Sequence, residues 1–395
     1  MKISSCALGL NISWRFEFSH DTSRREPVPD QVCVDIGQQL CPGVIDHHQG
    51  AGESSCAAKE LIDHPELIRD HLLGPLLKDG SRIPDPPVIT WSLLTHANPD
   101  WDAVLTSYIA VRIAEDGIVA ESIRNLVPEA LAWDQGCEDF DPSLKTISPA
   151  LLYAIEQADL DEDQEKMAFG FRLLDYLRTC ADDPAISLGY GRRELYEDHA
   201  EFGNVVRKLD ADLQQYRADF KKAQAAVFQL PLRNGGQRHT TTLICYTSPN
   251  SRLFKHWARS IGLPGSEPAK PFECLVVPYE RLGDHPSGAG EHFKQVVISV
   301  RGDSDVFLSD IGRDLERLEQ QEREQRGIVQ CGDARYPEIS PSPDPWYDGR
   351  GHNYTIVDSP RSGTLLSYQQ IIDCALTDHR FPHNTIAPQT SRIVR

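Results

Sequence analysis

The sequence predicts a two-domain α/β protein, with a parallel sheet in the first domain. The chain has 395 residues, more than one hydrophobic core usually holds. An apolar run, Val88–Leu94, indicates a buried strand that leads through a polar turn into a helix-compatible segment, Ala103–Glu115. After residue 229, strand and helix patterns alternate, which is typical of α/β folds. We therefore expect an N-terminal domain over 1–190, a connector helix over 191–228 and a smaller C-terminal α/β domain over 229–395.

The individual elements follow from hydrophobic spacing and from the breakers between them. In the N-terminal half, alternating or short apolar runs predict strands at 12–18, 32–34, 44–45 and 88–94, and helical spacing predicts helices within 54–77, 103–133 and 148–180. The longest helical pattern, 194–228, indicates a connector, with a coiled-coil arm that would form a homodimer as the alternative. In the C-terminal half we predict strands at 241–246, 272–277, 293–300 and 354–358, and helices at 251–261 and 308–326.

Charge and cysteine content restrict the possible functions. The net charge of −19 is opposite to that of proteins that grip long duplex nucleic acid, so it favours a short anionic substrate over a long one, or a positively charged partner. The ten cysteines include no Cys-x-x-Cys pair, which argues against a zinc ribbon or a disulfide framework and fits a reducing compartment. No apolar run approaches the ~20 residues that span a bilayer, and the N-terminus lacks a long apolar core. We expect a cytoplasmic protein.

A histidine and two aspartates follow the strand at 88–94. They are His96, Asp100 and Asp102. Ligands of open α/β sheets bind at the carboxyl ends of strands, and three such side chains packed together need a cation between them. Imidazole and carboxylate together suit Mn, Fe or Zn. The alternative is a turn whose aspartates cap the next helix.

A second polar cluster stands earlier in the chain. Asp35 follows the apolar run at 32–34, and Asp46, His47 and His48 follow the run at 44–45. Neighbouring side chains of an extended segment point to opposite faces, so one histidine can bind a metal while the other faces a substrate. The alternative is an ordinary surface loop.

Together these residues resemble the motifs of the DHH phosphoesterase superfamily. The triplet 46–48 is similar to the superfamily's signature, the pattern His-x-x-x-Asp-x-Asp at 96–102 to its first motif, and Asp35 to its second. Asp134, which follows an apolar helical stretch, matches a fourth motif. The run around it, Ala130–Gly136, is similar to a branch of metal-dependent RNA exonucleases whose fourth motif carries Asp-Asn-Gly. The resemblance covers about the first 140 residues.

The order of the motifs differs from that of the superfamily, in which the His/Asp motif comes first. Here Asp35 and the triplet precede it, so the sequence resembles a circularly permuted DHH-type catalytic domain. A parallel sheet presents its carboxyl ends on one edge whatever the chain order, and permutation succeeds where termini lie close together at the surface.

The resemblance implies a two-metal centre. It implies that Asp35 bridges the two ions, that His48 faces the substrate phosphate, and that Asp46 orients an imidazole. The mixed donor set favours two Mn²⁺ ions, with Mg²⁺ or Co²⁺ as substitutes. The implied metal ligands are Asp35, His47, His96, Asp100, Asp102 and Asp134.

Two basic stretches of the C-terminal domain are candidates for holding the substrate. The first is a predicted helix with its basic residues on one side, although it could equally be an ordinary amphipathic surface helix. The second has glycines on both sides of an arginine, which let the backbone and a guanidinium approach an anion closely. Its position is similar to that of the glycine- and histidine-containing substrate loop of DHH proteins. The candidate residues are Arg252, Lys255, Arg259, Arg350, His352 and Arg361.

The sequence thus predicts a Mn²⁺-dependent phosphoesterase that hydrolyses phosphodiester bonds of short or single-stranded nucleic acid, most simply an oligonucleotide exonuclease. A phosphodiesterase of a small signalling nucleotide or a polyphosphate phosphatase is the alternative within the enzyme class. A nucleotide-sensing binding module is the alternative from another class.

Overall fold

A computed structural model describes most of the chain in two compact units. Unit 1 comprises residues 1–210 and unit 2 comprises residues 211–395. The described residues are 2–4, 11–21, 23–48, 55–73, 88–140, 146–180, 192–264, 270–285, 288–308, 311–328, 345–347, 349, 355–360 and 363–376.

Unit 1 is built on a six-stranded sheet of order β1-β2-β6-β3-β5-β4. Strands β2, β6, β3 and β5 run parallel, and β1 and β4 are antiparallel at the two edges. The predicted parallel sheet is therefore present. The strands are β1 (Lys2–Ser4), β2 (Asn11–Ser19), β3 (Gln31–Val34), β4 (Leu40–Cys41), β5 (Val44–Ile45) and β6 (Val88–His96).

The helices of unit 1 pack against each other and against the sheet around a central helix, α3. The helix α3 has residues buried along its whole length, because α1, α5, α6 and α7 all contact it. The helices are α1 (Ala57–Asp63), α2 (Glu66–Ile68) with a π-helical turn (Arg69–Leu73), α3 (Trp101–Asp116), α4 (Glu121–Arg124), α5 (Val127–Asp134), α6 (Pro149–Gln157), α7 (Asp163–Cys180), α8 (Glu194–Glu197) and the first part of α9 (Phe202–Phe220).

The two faces of β6 differ in character. Trp91, Leu93 and Thr95 are fully buried. The alternate residues Thr90 and Ser92 are exposed and half-buried. Because side chains alternate along a strand, His96 at the end of β6 belongs to the second face, with Ser92.

Unit 2 contains a five-stranded sheet of order β11-β10-β9-β8-β7, antiparallel except for the pair β8 and β9. One hydrophobic cluster joins this sheet to α11 and α12. The elements are β7 (Ala223–Pro231), β8 (Gln237–Cys245), α10 (Phe254–Ser260), β9 (Cys274–His285), β10 (Gly288–Val300), α11 (Ile311–Gln325), β11 (Ile356–Asp358) and α12 (Tyr368–Leu376).

The predicted connector helix ends earlier than its hydrophobic spacing indicates. The helix α9 stops at Phe220, and Ala223–Pro231 forms β7, so the prediction of helix as far as Phe228 is wrong. The cause lies just beyond: Gly235, with φ +82°, lies in a tight turn that returns the chain as β8. Asn-Gly turns favour hairpins, and the antiparallel ladder satisfies the backbone groups that a longer helix would otherwise use. The division between the units falls within α9.

In the described part of the chain, the helices are too short or too polar to cross a membrane.

The close approach of α3 and α7 depends on Gly170. A Cβ atom at position 170 would lie 2.3 Å from Cγ1 of the buried Val104. Because overpacking a core costs about 1–3 kcal/mol, we expect Gly170→Ala to lower the free energy of unfolding by that amount in urea denaturation. Val104→Ala removes the clashing methyl group, so the cost of Gly170→Ala should shrink in that background. Equal costs in the two backgrounds would contradict this packing.

Candidate metal centre

The residues of the two sequence clusters meet at one edge of the sheet of unit 1. The strand β6 ends at His96, Asp35 directly follows β3, and Asp46 directly follows β5. These three strands are parallel, so their carboxyl ends converge. Residues that stand up to 61 positions apart along the chain, Asp35 and His96, are thereby brought to 3.3 Å.

Asp35 lies at the centre of the cluster and presents one oxygen to each side. Its Oδ1 lies 3.3 Å from Nε2 of His47 and 3.7 Å from Nδ1 of His48. Its Oδ2 lies 3.3 Å from Nε2 of His96, and that nitrogen lies 3.8 Å from Oδ1 of Asp100. Two ligand groups therefore share this one carboxylate: Asp35 with His47 and His48, and Asp35 with His96 and Asp100.

The geometry of these groups fits metal ions. Oδ1 of Asp35 and Nε2 of His47 are both buried, and neither makes a hydrogen bond of acceptable geometry. Buried polar atoms without partners are costly, and a shared cation would satisfy both. Ligand atoms ~2.1 Å from one ion at tetrahedral or octahedral angles lie ~3.0–3.5 Å apart, which is close to the separations in the cluster.

The turn after β3 gives Asp35 its position. Asp35 has φ +54° and Gln38 has φ +52°, so both adopt the left-handed conformation that aspartate tolerates better than most residues. The amide of Asp35 donates to the carbonyl of Ile45. The chain thus reverses directly behind the strand and leaves the carboxylate at the sheet edge.

Asp46 is a buried carboxylate that orients His48. Its Oδ1 accepts from the amide of His48 at 3.0 Å and contacts Nδ1 of the same ring at 2.7 Å, and its Oδ2 accepts from the amide of Gln38 at 2.6 Å. Burial alone would raise the pKa of Asp46, but His48 outweighs burial and lowers the pKa. Asp46 therefore contacts the imidazole of His48, which is the kind of contact that the predicted orienting role requires.

Asp100 and Asp102 both combine a place in the cluster with a structural task. Asp100 is the N-cap of α3 and accepts from the amide of Ala103 at 3.0 Å. Asp102, only 1% exposed, accepts from the amides of Ala57 and Ala58 at the start of α1. Helix capping was the alternative to metal binding for this turn. The structure contains both features, because Asp100 caps α3 and also lies close to His96.

Asp102 lies outside the two groups of closely spaced ligand atoms. Its Oδ2 lies 3.9 Å from Nε2 of His47. The resemblance places Asp102 among the metal ligands, but the closely spaced group that contains Asp35 and His47 has His48 as its third member. Asp134 ends α5 and is exposed, and its negative charge acts on the pKa values of both His47 and Asp102. Asp134 therefore belongs to the electrostatic surroundings of the cluster.

The charges of the cluster are strongly coupled. Burial lowers the pKa of His47 and of His96, but the neighbouring carboxylates outweigh it and raise these pKa values to about 10 and about 11. Burial, together with the charges of Asp35 and Asp134, raises the pKa of Asp102 to about 8. Burial also acts to raise the pKa of Asp35, yet the two imidazoles hold it far below its usual value.

Sequence reasoning missed the residues that hold the turn after β6. Nζ of the buried Lys166 donates to Oδ1 of Asn98 at 2.8 Å, and the hydroxyl of Tyr153 donates to the carbonyl of Pro99 at 2.6 Å. Gln157 donates to the same carbonyl. These partners come from α6 and α7, and no spacing near His96 indicates them.

The predicted substrate-binding residues of the helix at 251–261 lie in unit 2 and differ in exposure. Arg252 and Lys255 are exposed. Arg259 is 5% exposed, and its guanidinium donates to Oγ of Ser299 at 2.8 Å. The structure therefore does not present all three on one exposed side.

The amides that begin this helix already have an anionic partner within unit 2. The carboxylate of Asp212 accepts from the amides of Arg252 and Leu253 and from the indole of Trp257. These amides are thus engaged by a carboxylate. The other predicted substrate-binding residues, Arg350, His352 and Arg361, lie outside the described residues.

Comparison with known proteins adds nothing to these observations, because the chain matches no protein-family model, no curated protein and no solved structure.

Metal binding to this cluster should be strongly pH-dependent. The raised pKa values of His47 and His96 mean that both imidazoles carry a proton at neutral pH in the metal-free protein. A metal ligand must be deprotonated, so binding releases these protons. We expect the apparent affinity for Mn²⁺ to rise by about 100-fold from pH 6 to pH 8 for each proton displaced. Calorimetry in buffers of different ionisation enthalpy measures the proton count. An affinity that does not change with pH would contradict the assignment of these histidines as ligands.

Proposed function

We propose that unit 1 is a two-metal phosphoesterase of the DHH type that uses Mn²⁺ to hydrolyse phosphodiester bonds of short or single-stranded nucleic acid. The observation that carries the proposal is the position of Asp35, with one carboxylate oxygen toward His47 and the other toward His96. A carboxylate shared in this way is what a pair of ions ~3.5–4 Å apart requires. The motif resemblance supports the same reaction class independently of the distances.

The donor set is suited to Mn²⁺. Imidazole and carboxylate groups surround Asp35, and cysteine is absent from the two ligand groups in the described part of the chain. Such ions would lower the pKa of a bound water and neutralise charge on the phosphoryl group that is transferred. The protein's own part is to hold Asp35, His47, His96 and Asp100 at fixed positions around them.

His48 is the residue that we assign to the substrate. It is exposed, unlike its neighbour His47, and Asp46 holds its Nδ1. An imidazole fixed through one nitrogen can use the other to contact a phosphoryl oxygen or to give a proton to the leaving oxygen. Because Asp46 stabilises the protonated ring and raises the pKa of His48, His48 is suited to the role of donor.

The central test compares metal content and hydrolysis of bis(p-nitrophenyl) phosphate in wild-type protein and in His47→Ala. We expect about two equivalents of Mn²⁺ in the wild type and a loss of at least about 100-fold in hydrolysis in the variant. His64→Ala is the matched control, since His64 is an exposed histidine of the same unit that pairs with Glu66. Wild-type protein that takes up no metal and hydrolyses no phosphodiester would refute the proposal.

A second variant isolates the orientation of His48. Asp46→Asn keeps the shape of the side chain but removes its charge, so we expect hydrolysis to fall by about 10–100-fold while Mn²⁺ content is retained. Asp63→Asn, which changes an exposed carboxylate paired with Lys59, serves as the control. Unchanged activity in Asp46→Asn would remove His48 from the reaction.

The net charge of −19 favours short substrates, and with them the alternative of a small-nucleotide phosphodiesterase. We therefore expect specificity constants that are higher for dinucleotides than for a single-stranded 20-mer at low salt. The comparison is made by following mononucleotide release from both substrates and from a cyclic dinucleotide. Preference for the 20-mer would contradict the expectation drawn from the net charge.

A further inference from the structure

A fourth parallel strand reaches the same edge of the sheet beside the metal cluster. Ser19, the last residue of β2, pairs in register with His96. Residues paired across parallel strands point to the same face and lie ~4.8 Å apart. The side chain of Ser19 is therefore the immediate neighbour of the imidazole of His96, on the side away from Asp35.

The side chain of Arg25 reaches Ser19 from the side of His96 on which Asp35 lies. Its amide donates to the carbonyl of Gly37, just beyond Asp35 at the end of β3, and its Nη2 donates to Oγ of Ser19 at 2.9 Å and to the carbonyl of Asp21 at 2.7 Å. In the sheet, β6 lies between β2 and β3. Arg25 is thus held by its main chain beside the end of β3 and by its guanidinium at the end of β2. Its side chain therefore extends past the end of β6, where His96 stands.

The guanidinium of Arg25 has donors left over. Its Nε is buried without a hydrogen-bond partner, and Nη1 makes no hydrogen bond to any described residue. Within those residues, no carboxylate forms an ion pair with Arg25, although the neighbouring edge carries several aspartates. The Asp21 carboxylate interacts with Arg25 only beyond ion-pair distance, so this half-buried arginine, held in place by neutral acceptors, keeps donors available for an anion.

From this arrangement we propose that Arg25 is a substrate-binding residue of unit 1 that holds a non-bridging phosphate oxygen on the His96 side of the metal cluster. The proposal rests on the proposed function and extends it: the catalytic unit itself supplies a cation for the substrate. Arginine suits this role because its planar donors match the oxygens of a phosphate.

The test measures anion binding and catalysis separately on the full-length chain. Wild type, Arg25→Gln and Arg25→Lys are loaded with Mn²⁺, titrated with inorganic phosphate by calorimetry, and assayed with bis(p-nitrophenyl) phosphate. We expect Arg25→Gln to weaken phosphate binding and to raise KM by about 10–100-fold, with Mn²⁺ affinity unchanged. Arg25→Lys should recover part of the loss, and Ser19→Ala, which removes an acceptor that orients the guanidinium, should give a smaller change of the same sign.

Arg15→Gln is the matched control, because Arg15 is an exposed arginine of β2, on the same face as Ser19, that pairs with Glu17. Phosphate affinity that is unaltered in Arg25→Gln would overturn the inference. So would a parallel loss of Mn²⁺ affinity, which would make Arg25 a residue that only holds the loop after β3. Wild-type protein that binds no phosphate would also overturn it.

The same experiment distinguishes failure of the phosphoesterase proposal from failure of the Arg25 proposal. If the wild type takes up no Mn²⁺, the phosphoesterase proposal falls, and the titration with phosphate is then made on the metal-free protein. Weaker phosphate binding in Arg25→Gln than in Arg15→Gln would still support an anion site at Arg25, and equal binding would exclude it.

Discussion

The register of the parallel strands is the constraint on which the whole candidate site depends. Ser19 pairs with His96 and Cys33 pairs with Leu94, so Asp35, two residues beyond Cys33, reaches the level of His96. A slip of one residue would turn a strand's entire set of side chains to the opposite face. The 3.3 Å approach of Asp35 and His96 is thus a consequence of sheet pairing, and the packed face of β6, with Trp91 and Leu93, is what holds that register.

Backbone amides hold the acidic residues of the cluster in place. Asp46 accepts from two amides, Asp102 from the first amides of α1, and Asp100 from an amide of α3. Such bonds offset the cost of burying charge and fix the carboxylates before any ligand arrives. They do not remove all of that cost: burial, together with repulsion from Asp35 and Asp134, raises the pKa of Asp102 to about 8. Dications are the groups that resolve this repulsion most directly.

Local sequence patterns predicted the four parallel strands of unit 1 and the polar residues that follow them, because strand periodicity and the convergence of parallel strand ends are short-range and topological rules. The short edge strands β1 and β4 were not predicted. The placement of Asp102 could not be predicted in this way. Its partners Ala57 and Ala58 stand 45 and 44 residues away, and only the packing of α1 on α3 brings them together. Arg259 is a similar case, since the acceptor that draws it inside, Ser299, is 40 residues away.

The connection between β2 and β3 shows how chain order and site chemistry are linked. The two strands follow one another in the chain, yet β6 separates them in the sheet. Their connection must therefore pass the end of β6, and it does so at the level of Arg25, which bonds to Ser19 on one side and Gly37 on the other. The convergence of polar side chains at a parallel edge does not depend on chain order, so residues from distant parts of the chain can build one cluster. The connection that crosses this edge does depend on chain order, which is why Arg25, placed on it, bonds to the ends of both neighbouring strands.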